Sequence, residues 1–184
     1  MSEATQQLMS EHRAIERVIG ALDKAADKIS AGETVAPATI ERALQFIRGF
    51  ADQCHHAKEE AVLFPALGRH GVPREMGPIG VMLADHEQGR AYVKGMSAAL
   101  PGYAAGDPTA RAQLAENMHG YAGLLRSHIA KEDNVLYPLS DRALSAEEKA
   151  AMFEEFERIE REMTGPGEHE RHLALIEELE AMAR

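Results

Sequence analysis

His55-His56-Ala57-Lys58-Glu59-Glu60-Ala61-Val62-Leu63-Phe64-Pro65 returns, without a gap, as His128-Ile129-Ala130-Lys131-Glu132-Asp133-Asn134-Val135-Leu136-Tyr137-Pro138. Seven of the eleven positions are identical, and Glu60/Asp133 and Phe64/Tyr137 are conservative changes. Both copies fall late in long helical patterns, so two helices present the same chemical group twice. The repeat also selects a register. The first copy offers two His-x-x-x-Glu pairs, His55/Glu59 and His56/Glu60, and residues four apart share a helix face. Only His55/Glu59 aligns with His128/Glu132, because His56 falls opposite Ile129.

Working outward, apolar residues recur at helical spacing along most of the chain. Leu8, Ile15, Ile19, Leu22 and Ile29 mark a first helix over residues 1–31, and a break at 31–37 follows. Ile40, Leu44, Ile47, Phe50 and Ala51 mark a second helix to Leu67, with Pro65 in its last turn. A third is expected from Gly77 to Leu100, closed by Pro101-Gly102. A fourth runs from Pro108, with Asp107 as N-cap, to Tyr137, where Pro138 stops it. Four helices of this length with short breaks predict an all-α, up-down four-helix bundle over residues 1–140. Residues 141–184 add two helices, packed on the bundle or at an oligomer interface such as a homodimer. Ser145-Ala146-Glu147-Glu148 is a capping box that opens the fifth. Gly165-Pro166-Gly167 ends it, and Glu168–Arg184 forms the sixth.

Composition narrows the function. With 20 basic against 30 acidic side chains and a net charge of −10, no basic block is available for nucleic acid or an anionic membrane. No run of about 18 apolar residues could span a bilayer. The single cysteine cannot form an internal disulfide, and charged residues interrupt positions 1–30 where a secretory signal would be apolar. These features point to a cytoplasmic setting. Nine histidines on such a chain need a reason. Two facing His-x-x-x-Glu pairs supply two nitrogens and two carboxylates, and His12 and His86 stand mid-helix on the other two helices. Four His and two Glu exceed one tetrahedral zinc and suit a pair of metal ions joined by carboxylates. The Glu-x-x-His pairs of ferritin-like sites occur once only, at Glu116/His119.

This ordered set resembles the hemerythrin-like (HHE cation-binding) family. The set runs from His on helix one, through His-x-x-x-Glu before Leu-Phe-Pro and His on helix three, to His-x-x-x-Glu before Leu-Tyr-Pro. The resemblance covers roughly residues 5–140. The Met76–Met82 lead-in to His86 is similar to that of bacterial iron–sulfur repair di-iron proteins. The resemblance implies a non-haem centre of two Fe ions with an oxo or hydroxo bridge. It makes His12, His55, His86 and His128 terminal ligands, and Glu59 and Glu132 bridges. Oxygen carriers of the family have His-x-x-x-His on helix three, whereas Arg90 holds the second position here. His56 is the candidate to complete the set, either as a ligand or as a hydrogen-bonding neighbour of the ligands. Arg90 either pairs with a carboxylate of the site or is a surface cation. The expected ligand is a small oxidant (O2, H2O2 or NO), bound or reacted with for sensing, scavenging or stress response. An iron-responsive regulatory module is the alternative. Tyr121 reads as core packing, Cys54 as inert, and His70, His119, His169 and His172 as bystanders.

Overall fold

The computed structural model describes residues 1–163, 174–179 and 181. Among these there is no strand. Helix α1 is Glu3–Ser30, and α2 is the continuous helical run over residues 37–69. Helix α3 is Gly77–Ala104, α4 covers residues 108–143, and α5 is Ala146–Met163. Starts follow local chemistry. Ser2 caps α1 by accepting the Thr5 N–H, and Asp107 caps α4 by accepting the Thr109 N–H. Pro37, Pro78 and Pro108 occupy first turns, where their missing N–H costs nothing. The capping box of α5 closes both ways: Glu148 N–H donates to Ser145 Oγ at 3.2 Å, and Ser145 N–H to Glu148 Oε2 at 2.9 Å.

Two helix ends differ from expectation. Pro101 does not close α3, which runs on to Ala104. Pro138 does not stop the fourth helix, which continues to Ala143, past the expected domain limit at 140. The reason is visible one turn upstream. A π-helical turn, Glu132–Leu136, precedes Pro138, and its twin, Glu59–Leu63, precedes Pro65. In each, the N–H after the turn (Tyr137 or Phe64) bonds the carbonyl of Glu132 or Glu59, five residues back. The widened turn relieves the ring-to-carbonyl clash that ends an α-helix at proline. The repeat therefore extends to the backbone: both π turns begin at the paired glutamate.

Neighbouring helices run antiparallel where polar contacts fix their direction. Along α1 and α4, Thr5 meets Asp141, His12 meets Asp133, and Asp23 meets Arg126. Along α2 and α3, Arg48 meets Ser97 and Asp52 meets Arg90. Helices α3 and α4 approach closely through glycine: a Cβ on Gly102 would lie 2.7 Å from Ala110 Cβ, and one on Gly120 would lie 2.4 Å from the Tyr92 ring. Tyr103 ties down the α1–α2 connection, accepting the Val35 N–H and donating to the Val35 carbonyl, both at 2.8 Å.

The apolar core is split into two clusters. One contains Ile15, Ala51, Val93, Leu125 and Ile129, the other Leu8, Leu63, Met82, Leu136 and, from α5, Met152 and Phe156. On every long helix the gap between them holds the histidines and glutamates singled out above. Ile176 and Leu179 pack on the first cluster, and Arg42 pairs with Glu178. The remainder of the expected sixth helix, the Gly165–Gly167 break, His169 and His172 lie outside the described residues. No helix among the described residues is long and apolar enough to cross a membrane.

Candidate metal centre

The polar layer between the two apolar clusters brings together all seven residues expected as ligands, and all are buried. They form two groups: His56, Glu59, His86 and His128; and His12, His55 and Glu132. Within each group, one nitrogen or carboxylate oxygen from every residue lies within 4.8 Å of the others. The two glutamates face both groups. Glu59 Oε2 is 3.4 Å from His86 Nε2 and 3.8 Å from His55 Nε2. Glu132 Oε2 is 3.2 Å from both His128 Nε2 and His12 Nε2. His55 and His56 reach the layer from adjacent positions because Ile47–His56 is π-helical, and a wider turn separates successive side chains by a smaller angle. The His56 ring stacks on His86 with centroids 3.8 Å apart.

Every one of the five histidines turns Nδ1 outward to a carboxylate. His12 donates to Asp133, His55 to Glu11 and His86 to Glu60, each at 2.7 Å. His56 meets Asp52 and His128 meets Asp85, each at 3.3 Å. A carboxylate on Nδ1 holds the Nδ1–H tautomer and leaves the Nε2 lone pair facing the interior, the arrangement that orients histidine for a metal. Cations back these acids in turn. Lys58 pairs with Glu11, Lys131 with Asp85, Arg13 with Asp133, and Arg90 with Asp52 and Glu60. Arg90 is thus a partner of site carboxylates.

The electrostatics show what the layer lacks. Among the described residues, His55 Nε2, Glu59 Oε2 and both carboxylate oxygens of Glu132 are buried without a hydrogen-bond partner. Buried polar groups are normally paired, and a buried charge left alone is costly. Burial, followed by the charge of Glu59, pushes the Glu132 carboxyl up to about 8. Glu59 goes the other way. Burial opposes its charge, but the nearby imidazoles of His55 and His86 outweigh it and hold its carboxyl well below the usual range. Tyr137 contributes to that split by donating to Glu59 Oε1 at 2.8 Å, a bond Glu132 has no counterpart for. Burial works against the charged forms of His12 and His86, yet the carboxylates beside them, Asp133 and Glu132 for His12 and Glu59 and Glu60 for His86, raise both to about 9. Burial takes His56 down to about 3. Inward nitrogens, unpartnered carboxylate oxygens and misplaced protons describe donors that cations would satisfy, and imidazole with carboxylate suits iron, manganese or zinc.

Several contributors were not foreseen from the sequence: Tyr137, Glu11, Asp85, Asp52, Lys58 and Lys131. Two signals were there. Lys58 and Lys131 are identical positions of the repeat, and an acid immediately precedes both His12 and His86. The bystanders stand apart from the layer: His70 meets Glu148, and His119 meets Asp23. Cys54 is buried, and burial raises its thiol to about 11, which leaves it unreactive.

Comparison with known proteins agrees with this geometry. Residues 3–140 match the model of the hemerythrin HHE cation-binding domain. The chain is similar to uncharacterized proteins of Mycobacterium tuberculosis and Mycobacterium bovis, 30% identical over 162 residues, covering 88% of this chain. It spans 63% of the length of these relatives. No solved structure matches it. With a domain match over most of its length, the chain belongs to the hemerythrin HHE cation-binding family.

Proposed function

We propose that this chain is a non-haem di-iron protein that binds or reacts with a small oxidant (O2, H2O2 or NO) in sensing, scavenging or stress response. Helices α1–α4 would form the up-down bundle of the family in a cytoplasmic protein. His12, His55, His56, His86 and His128 would be the nitrogen ligands, and Glu59 and Glu132 would join the two ions. The observation that carries this reading is that each glutamate has one oxygen facing a histidine of both groups. A single-ion site would have no use for that double facing.

Iron held here would supply reversible electron transfer to a small bound oxidant. The chain's own residues set the conditions. Asp133, Glu11, Asp52, Glu60 and Asp85 hold the five imidazoles in their inward orientation. Tyr137 fixes one oxygen of Glu59 and leaves the other to the interior. The apolar clusters above and below exclude water. The group of His12, His55 and Glu132 has one donor residue fewer than its neighbour, which leaves room there for a small ligand. Anaerobic reduction of the iron-loaded protein, followed by rapid mixing with O2, H2O2 or NO, should change the absorption spectrum for at least one of the three. No response to any would contradict the proposal.

An iron-responsive binding module without turnover is favoured by one contact. Lys58 bridges Glu11, which backs His55, to Glu160 on α5. In that reading, metal removal should raise the hydrogen-exchange rate of α5 amides and abolish partner binding. Unchanged α5 protection would contradict it.

A further inference from the structure

A cavity of about 320 Å³ opens between α2, α3 and α4, beside the polar layer. It is the size of a small-molecule site. Its walls are apolar, formed by Ile47, Val93, Gly89 and the ring of Tyr121, and His56 lies at its inner end. Three features distinguish it from a packing defect.

The first is charge. On a chain of net charge −10, the cavity is lined by Arg48, Arg90 and Lys94 against the single acid Asp52. Arg90 is neutralised by Asp52, Glu60 and Glu87. Arg48 donates to the Ser97 hydroxyl across the mouth and lies 3.8 Å from Glu41. Lys94 is exposed and has no ion-pair partner among the described residues. An available cation therefore stands at the rim, where it would attract an anion.

The second is a polar atom without a partner. Tyr121 is 2% exposed as a residue and lines the cavity, and its hydroxyl makes no hydrogen bond to another described residue. The hydroxyl oxygen is reachable by water, so a guest in the cavity could supply an acceptor in its place. The third is spacing. Gly89, which packs against the Tyr121 ring, is five residues before Lys94 on α3. That separation is about 7.5 Å along a helix, comparable to the length of a para-substituted benzene ring.

We propose that this cavity binds a small aromatic monocarboxylate. Its carboxylate meets Lys94 at the mouth, its ring lies between Ile47 and Val93, and a polar oxygen at its far end accepts the Tyr121 hydroxyl. The proposal rests on the cavity alone and is independent of which metal the neighbouring layer holds.

The test is calorimetric titration of this chain as isolated, with 4-hydroxybenzoate, benzoate and the uncharged 4-hydroxybenzamide. Saturable one-to-one binding of 4-hydroxybenzoate is expected, about tenfold tighter than of the amide or of benzoate. Lys94→Gln should weaken both acids about tenfold and leave the amide unchanged. Tyr121→Phe should remove the advantage of 4-hydroxybenzoate over benzoate. Neither variant should shift the melting temperature downward, since neither side chain has a partner to lose. The proposal is overturned by absence of saturable binding, by an amide that binds as tightly as the acid, or by unchanged affinity in either variant. Unchanged affinity would mean that the carboxylate goes directly to the metal layer.

Discussion

The two copies of the repeat build the same framework from opposite sides of the bundle. Lys58 reaches Glu11, the residue before His12, and Lys131 reaches Asp85, the residue before His86. Glu11 backs His55 and Asp85 backs His128. Glu60 backs His86, and Asp133 backs His12. Of the four positions at which the copies differ, two change what faces the layer. His56 faces the layer where the second copy has Ile129, and Tyr137 donates to Glu59 where the first copy has Phe64. The shared residues hold two similar positions in place. The differing ones make those positions chemically unequal, with four donor residues against three and one carboxylate low in pKa against one high.

The largest asymmetry to test is burial of the paired lysines. The Lys58 side chain is wholly buried, whereas that of Lys131 is 37% exposed. Lys58→Met leaves the buried Glu11 carboxylate without its cation, with only His55 as partner, and should cost about 3–5 kcal/mol in chemical denaturation. Lys131→Met should cost under about 1 kcal/mol. Equal losses would mean that the copies are equally solvated. Next is the tyrosine. Tyr137→Phe makes the second copy like the first, strands Glu59 Oε1, and should destabilise the metal-free protein by about 1–3 kcal/mol. The reciprocal Phe64→Tyr should be tolerated better, because Glu132 has oxygens in need of a donor.

His56→Ile removes the other asymmetry. It should weaken one of two metal-binding steps by tenfold or more while sparing the second, as read by competitive chelator titration. Equal weakening of both steps would mean that His56 acts through the shared glutamates. The smallest effect lies away from the layer, where α1 meets α4. Burial raises the Asp23 carboxyl, but His119 and Arg126 outweigh it and hold it below its ordinary value. A lowered carboxyl contributes stability above its unfolded value near 4 and loses it as pH falls through its folded value. The margin of the wild type over Asp23→Asn, under about 1 kcal/mol, should therefore be present at about pH 5 and vanish on further acidification. A margin independent of pH down to 2 would show that the pair contributes no charge interaction.

Much of this was legible in the sequence because the repeat is local. Helical spacing located four long helices, and the gapless alignment selected Glu59 and Glu132 over their acidic neighbours. His12 and His86 carried a weaker signal, one histidine mid-helix on each of the other two helices, which resemblance to the family strengthened. Glu11 and Asp85 were hidden because each touches a histidine on another helix, so sequence distance gives no clue: Glu11 and His55 are 44 residues apart, whereas Asp52 lies one turn from His56 on the same helix. The continuation of α4 past Pro138 was hidden for a different reason. Proline stops an α-helix, and nothing in composition announces a π turn upstream that accommodates it. The same turn geometry places His55 and His56 together in the layer, which a regular helix would set about 100° apart.

Two metal positions sharing Glu59 and Glu132 would gain and lose their ions together. The most direct test is metal content per chain, measured after expression in iron-supplemented cells, for the wild type, Glu132→Ala and Glu60→Ala. About two irons per chain are expected in the wild type and in Glu60→Ala, and loss of both from Glu132→Ala, because removing a shared ligand weakens both positions at once. Retention of one full iron in Glu132→Ala, or a wild type that never exceeds one, would contradict this sharing.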